Sequence, residues 1–261
     1  MIFSAIHISL HNYDIVNPPG KFVGLENYFL FLKTKTFWLA LKNTFIMFFL
    51  SVAIVFWVPI VQAIFLSGIK RANAVYRVLY QIPAILPLVA GLLLWKWMYN
   101  PDRGLFNYLL GKVGLGPYGW LNDMAMTKFA IVLPGFFSSG GVGVLLYYAA
   151  IKSIPSDLFE SAKIDGCGPW KRLYYIVLPN IRFVIFIQFI TFLSGVLLAF
   201  DNIFIMTQGG PADASLVVSL LIQRSAFEQY NFGMSAALSF FMFIIIAIIT
   251  VIQFKLQKEG D

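Results

Sequence analysis

GMSAALSFFMFIIIAIITVIQF (residues 233–254) decides the fold of this chain. It is an apolar run long enough to cross the hydrocarbon core of a bilayer, which takes roughly 20 residues of helix. Leu, Ile, Phe and Val are spread evenly along it rather than in alternation, so it reads as a helix and not as a barrel strand. Four further stretches share its character: 38–66, which is long enough to tilt, then 75–99, 128–151 and 183–206. In lipid the backbone has no water to bond, and a helix closes its own hydrogen bonds. The first ten residues, MIFSAIHISL, are apolar but too short to span. They lack the basic start and small-residue cleavage site of a signal peptide, and read as the tail end of a further helix whose start is missing or shortened. The expected fold is all-α: a polytopic transmembrane bundle of five full spans plus an N-terminal remnant of a sixth. Residues 1–36 would hold the partial span and an outer segment, and 37–261 the transmembrane domain.

Composition agrees. The chain is 59% hydrophobic and only 12% charged, where an average soluble domain carries about a quarter charged residues. Aromatics reach 17%, which suits lipid packing and interfacial anchoring. The net charge of +7 would suggest nucleic acid on a soluble protein. Here much of the basic charge sits in short loops between apolar runs, so it reads as topology and no nucleic-acid partner is expected. A single cysteine, Cys167, excludes an internal disulfide and a cysteine zinc cluster. His7 and His11 are the only histidines, and neither lies in an HExxH pattern. No metal site, cofactor or catalytic centre is expected.

The linkers carry the orientation. Residues 67–74 are short and basic; 100–127 are rich in Gly, Pro and Asn and should be irregular; 152–182 are amphipathic and charged. Residues 207–213 have a turn composition around Gly209, Gly210 and Pro211, and 215–226 suit a helix near the surface or re-entering the membrane. With the 152–182 loop inside, alternation also puts 67–77 and the tail after 254 inside. These three pieces hold Lys70, Arg71 and Arg77, then Lys152, Lys163, Lys171, Arg172 and Arg182, then Lys255 and Lys258, ten of the 19 basic residues. That density favours the cytoplasmic side.

Residues 154–179 read IPSDLFESAKIDGCGPWKRLYYIVLP. Ser156 is a candidate N-cap after Pro155. Asp157 and Glu160 would lie near the helix start, where the dipole favours negative charge. Leu158, Ala162 and, less well, Ile154 fall on one side. Gly166 can take the left-handed conformation that ends a helix, and Pro169 suits the first position of the next. The result is a stubby helical knob on the cytoplasmic side.

This string resembles the EAA loop of ABC importer permeases. Glu160, Ser161 and Ala162 fill the EAA positions, with Ser for the usual Ala. Gly166 follows after Lys163, Ile164 and Asp165, and Val177, Leu178 and Pro179 close the pattern. FVGLENY at 22–28, the Asn43–Thr44 pair, YRVLYQIPAILP at 76–87, NPDRGLFN at 100–107, TQGGP at 207–211 and FGMSAALS at 232–239 look like the carbohydrate-type subfamily, the binding-protein-dependent sugar transport systems. The resemblance implies a type I importer permease in the cell (cytoplasmic or inner) membrane. By it the 156–166 helix is a coupling helix docked on a dimer of ABC ATPase subunits, with Glu160, Ser161, Ala162, Asp165, Gly166 and Pro179 carrying the coupling. Glu160 would meet a basic partner, and Ser161 and Ala162 would be small enough for close approach. A second permease subunit, in a heterodimer, and an extracellular or periplasmic solute-binding protein would complete the machine. The alternative for the knob is a surface helix that merely joins two spans.

Polar and small residues inside spans hint at pathway or packing. Gly135, Ser138, Ser139, Gly140, Gly141 and Gly143 form one such run, and Gln188, Thr191, Ser194 and Gly195 a second. Placing the family's motifs in register points to Gly135, Ser138, Ser139 and Val142, then Val196 and Ala199, as substrate-pathway positions; close helix packing is the rival account of each. Asp201 should sit at the outer boundary, and Pro59, Pro83, Pro87 and Pro134 can kink their helices. No GxxxxGK[ST] loop occurs, so the chain is not expected to be an enzyme and must borrow ATP hydrolysis from a partner. The function implied is import of a sugar, an oligosaccharide or a polyol-like solute. The rival is an ion-coupled secondary transporter, which would want charged or unwound midspan sites and internal repeats.

Overall fold

The computed structural model describes residues 2–13, 20–68, 75–76, 78 and 87–259. Lys70, Arg71, Arg77, Pro83 and most of the 76–87 motif lie outside the described residues. The chain is helical almost throughout. It opens with α1 (Ile2–Ser9), a two-residue antiparallel pair β1 (His11–Asn12) and β2 (Lys21–Phe22), and α2 (Glu26–Leu32). The long apolar segments follow as α3 (Lys35–Ile54), α4 (Val58–Gly68) and α5 (Leu88–Met98). Next come α6 (Leu105–Gly111), α7 (Thr127–Ser138), α8 (Val142–Lys152), α9 (Ser156–Ile164) and α10 (Pro169–Arg172). The last four are α11 (Leu178–Leu197), α12 (Asp201–Met206), α13 (Val218–Gln223) and α14 (Phe232–Glu259).

Among the described residues three helices are long and apolar enough to cross a membrane: Lys35–Gly68, Pro169–Met206 and Phe232–Gln257. A fourth is added if α7 and α8, bent by 51°, are taken as one span. The expected 128–151 span is therefore broken rather than straight. The break falls at Ser139, Gly140 and Gly141, not at Pro134, which lies inside α7. Gly141 has φ 89° and ψ −142°, a backbone region essentially confined to glycine. Of the expected 75–99 span, the described continuous helix is Leu88–Met98. The irregular 100–127 segment is more ordered than its composition suggests. Asn107 supplies the reason: its Nδ2 donates to the Pro101 and Tyr118 carbonyls, and its Oδ1 accepts from Tyr118 N and Trp120 Nε1, all at 2.9–3.1 Å.

The chain divides into two compact units. One comprises Met1–Phe49, Val89–Ile131 and Leu193–Asp261. There α1, α2 and α13 pack on α14, around Leu216, Val218, Leu220, Ala237 and Met242, all buried. Phe31, Phe37 and Phe241 add an aromatic cluster with ring centroids 4.7–5.6 Å apart. The 215–226 stretch is largely buried within this unit. The 22–28 motif anchors the amino end: Asn27 Nδ2 donates to the Ser9 and His11 carbonyls, and Tyr28 OH meets Ser9 Oγ at 2.7 Å.

The other unit comprises Leu50–Leu88 and Val132–Phe192. Its core is two helical stripes, Phe56, Ile60, Ala63 and Leu66 against Val144, Tyr147, Ile151 and Ile154, joined by Val177 and Ile181. The three- and four-residue spacings put each set on one helix face. At the end of α4, Lys152 Nζ donates to the Ser67 carbonyl at 3.0 Å, where a cation is favoured by the unpaired carbonyls of a helix C-terminus.

Candidate functional site

The knob forms on α9. Pro155 is extended and occupies the N-cap position, and Ser156 is the first helical residue with its Oγ on Asp157 rather than on the backbone. The hydroxyl cap expected at Ser156 is therefore not made. The other end follows its composition. Gly166 has φ 70°, Cys167 N donates to Ala162 O at 2.8 Å, and Gly166 N to Lys163 O at 3.2 Å. That pair of bonds is the Schellman closure of a helix. Gly168 is extended and Pro169 starts α10. A π-helical turn, Leu173–Val177, leads into α11. Pro179, the second residue of α11, supplies no N–H to the carbonyl four residues back. The widened turn before it accommodates the missing bond, and Asn180 Nδ2 donates to Ile176 O at 2.7 Å.

Ala162 turns inward and is 8% exposed; Ile154 and Phe159 seat the knob on its own unit. Glu160, Ser161, Asp165, Gly166 and Pro179 are all exposed. Beside them stand Leu158, Ile164, Trp170, Tyr174 and Tyr175, from 44% to 87% exposed. Asp157, Glu160, Lys163, Asp165, Lys171 and Arg172 interleave with them; Leu158 and Ile164 lie on α9, whereas Trp170, Tyr174 and Tyr175 belong to the 169–206 helix that is apolar enough to cross a membrane.

A cavity of about 200 Å³ lies in the same unit where α7 bends into α8. Ser139, Gly143 and Tyr147 line one wall, Phe56 and Pro59 a second, Gln188 and Thr191 a third. The Tyr147 hydroxyl is buried with no partner among the described residues. Of the sequence-derived pathway residues, Ser139 alone lines this cavity. Gly135 packs against Val55, with its ideal Cβ position 3.1 Å from Val55 Cγ2. Ser138 ends α7 and Val142, 72% exposed, begins α8. Val196 and Ala199 belong to the first unit, where Ala199 O accepts Ser219 Oγ at 2.6 Å. Gln188 and Thr191 stand out in the sequence as polar residues in a span, but Tyr147 does not. Spacings of four, at 139, 143 and 147, and of three and four, at 188, 191 and 192, mark the two lining faces.

Residues 43–258 match the family model described as the binding-protein-dependent transport system inner membrane component. The chain belongs to this family. The trehalose/maltose transport system permease protein MalF of Thermococcus litoralis is 32% identical over 98% of this chain and 87% of that protein. A probable ABC transporter permease protein of Pyrococcus horikoshii is 30% identical over 98% of this chain and 88% of its own length. The lactose transport system permease protein LacF of Rhizobium radiobacter is 32% identical over 92% and 82%. The fold matches a solved bacterial ABC transporter involved in the import of the acidic polysaccharide alginate, with a TM-score of 0.87 and 21% identity over 99% of this chain and 90% of that one.

The permease is thus a multi-pass membrane component of an ABC importer and not an enzyme. Family membership sets the ion-coupled alternative aside. It also gives structural weight to the Asn43–Thr44 pair. Asn43 Nδ2 donates to the carbonyls of Asp213 and Leu216, both at 3.0 Å, and Thr44 Oγ1 accepts Val218 N at 3.2 Å. Arg224 donates to Gln208 O at 2.8 Å and faces Asp213 at 3.8 Å. The permease's 207–218 turn is held from both sides. Asp201 is exposed at the start of α12, where the helix dipole favours its charge.

Proposed function

We propose that this permease carries a sugar, an oligosaccharide or a polyol-like solute into the cell, and that the 152–182 loop couples it to a dimer of separate ATPase subunits. The observation that carries the coupling is the knob's surface: Ile164 is 87% exposed and Trp170 81%, on a segment dense in charge. Contiguous exposed apolar surface on a water-facing element marks a protein interface. Glu160, Ser161, Ala162, Asp165 and Gly166 form the docking knob, and Pro179 stands in the first turn of the helix that carries the movement into the membrane. Cytoplasmic placement of the knob rests on the density of Lys and Arg.

The solute class is supported by the relatives, whose names specify trehalose and maltose or lactose. An external binding protein and a second permease in a heterodimer complete the assembly. Residues 37–261 form the transmembrane domain with five spans, and 1–36 a partial span and outer segment. The solute path runs along Gly135, Ser138, Ser139 and Val142 at the α7–α8 bend, with Val196 of α11 and Ala199 just beyond its end. Ligand and nucleotide drive transport only through different contacts in the inward and outward states.

The test is co-purification of the permease with its ATPase, followed by uptake of radiolabelled maltose, trehalose and lactose into vesicles. Gly166→Trp should abolish ATP-driven uptake. Uptake that survives the change would remove the coupling role.

A further inference from the structure

The first unit contains a second, larger pocket, about 510 Å³, that the coupling loop and the α7–α8 bend do not touch. Its walls are the end of α5 (Lys96, Tyr99, Asn100), the short turn carrying Asn122, and the 207–211 turn with Gln208. This volume lies in the range of small-molecule sites, whereas the 200 Å³ cavity lies below it. The turn that forms one wall is the one fixed by Asn43, Thr44 and Arg224, so the pocket has a rigid frame. Tyr99 is held in a cluster with Trp95, Phe106 and Trp120, ring centroids 5.2–5.7 Å away.

Unspent hydrogen-bonding capacity converges here. Tyr99 is 1% exposed, and its hydroxyl has no partner among the described residues. A buried polar group left so costs about 1–3 kcal/mol. The side-chain amides of Asn122 and Gln208 are exposed, and no protein hydrogen bond engages them among the described residues. Lys96 Nζ donates to Ile205 O at 3.2 Å and keeps further donors. None of the lining residues is acidic. Amides, a phenol and an ammonium suit hydroxyls and carboxylates and disfavour a cation.

We propose that this pocket is a solute site on the outer face of the permease, binding the hydroxyls of a neutral or acidic sugar before it enters the membrane path. The outer placement and the sugar class rest on the function proposed above. Alternation puts the 207–211 turn on the side opposite the knob.

The test uses the whole importer in right-side-out vesicles. Cys167, the single cysteine, is replaced by Ser, and Gln208→Cys is labelled with a membrane-impermeant maleimide. Maltotriose and an alginate trisaccharide are the probes. Labelling from outside, slowed by either sugar, is the expected result. Tyr99→Phe should leave labelling without sugar at its parent rate and weaken the protection by roughly threefold to tenfold, the worth of one hydrogen bond. Asn122→Ala, at an exposed position, should do the same where Tyr99→Phe disturbs folding. Labelling from the inner side only, or a rate unchanged by both sugars in vesicles that carry out ATP-driven sugar uptake, would overturn the pocket and leave the importer reading intact. Absence of uptake for every sugar tested, with protection of position 208 retained, would instead overturn the transport reading.

Discussion

Gly166 shows how one backbone angle can end a helix and shape the surface proposed above for coupling. Its φ is 70° and no atom lies within 4 Å of an ideal Cβ, so a substitution there is penalised by conformation and not by crowding. Gly166→Ala should cost about 1–2 kcal/mol of local stability, fray the last turn of α9, and lower the amount of ATPase retained on purification. Gly166→Asn should retain more, because Asn tolerates the left-handed region. Equal losses for the two would point to a contact and not a conformation. This role was legible in the sequence because helix-ending chemistry is local. The seating of the knob through Ile154 and Phe159 was less so, since it depends on tertiary packing. Asn43 was still less legible, its partners lying 170 and 173 residues away. Asn43→Ala leaves two buried carbonyls short of a donor. It should lower the melting temperature in detergent, at roughly 1 kcal/mol per bond for a membrane protein, and loosen the 207–218 turn in hydrogen exchange.

At the scale of elements, the bend between α7 and α8 is the least expected feature. Composition marks Pro134 as a kink, yet the break comes five residues later, where three weak helix formers follow one another. A single proline perturbs one hydrogen bond and its neighbours. The sequence Ser-Gly-Gly removes helix preference over most of a turn, and Gly141 then takes a backbone angle open only to glycine. Gly141→Ala should cost about 1–3 kcal/mol. It should also shift the distance between spin labels placed at 129 and 149, as the 51° angle opens. An unchanged distance would show that packing, and not Gly141, sets the angle. The segments 35–68, 169–206 and 232–257 were readable from hydropathy alone, because apolar length is the one requirement a bilayer imposes on a helix. The order inside 100–127 was hidden for the opposite reason. It comes from one polar side chain, Asn107, and leaves no periodic trace.

For the whole molecule, the division of labour follows from where apolar surface is left uncovered by the chain itself. Helical spans expose apolar faces that lipid or a neighbouring subunit can cover. Ile164 of the knob stands on α9 among charged residues, where a protein partner suits it better than lipid. Ile164→Glu and Trp170→Ala alter side chains 87% and 81% exposed, so each should change the melting temperature little. Both should reduce ATPase retention and uptake together. Retention at the parent level in both variants would place the docking face elsewhere. Family and membrane character were legible because they rest on motif spacing and bulk hydropathy; the polar pockets were not, because each assembles walls from distant parts of the chain. Asn107 carries one more consequence. By gripping Pro101, Tyr118 and Trp120 it closes the 101–118 excursion at its base, and residues 111–118 within it are exposed. The tip at Val113 and Gly114 is therefore mechanically insulated from the bundle, a natural graft point for an epitope or fiducial domain that leaves the spans undisturbed.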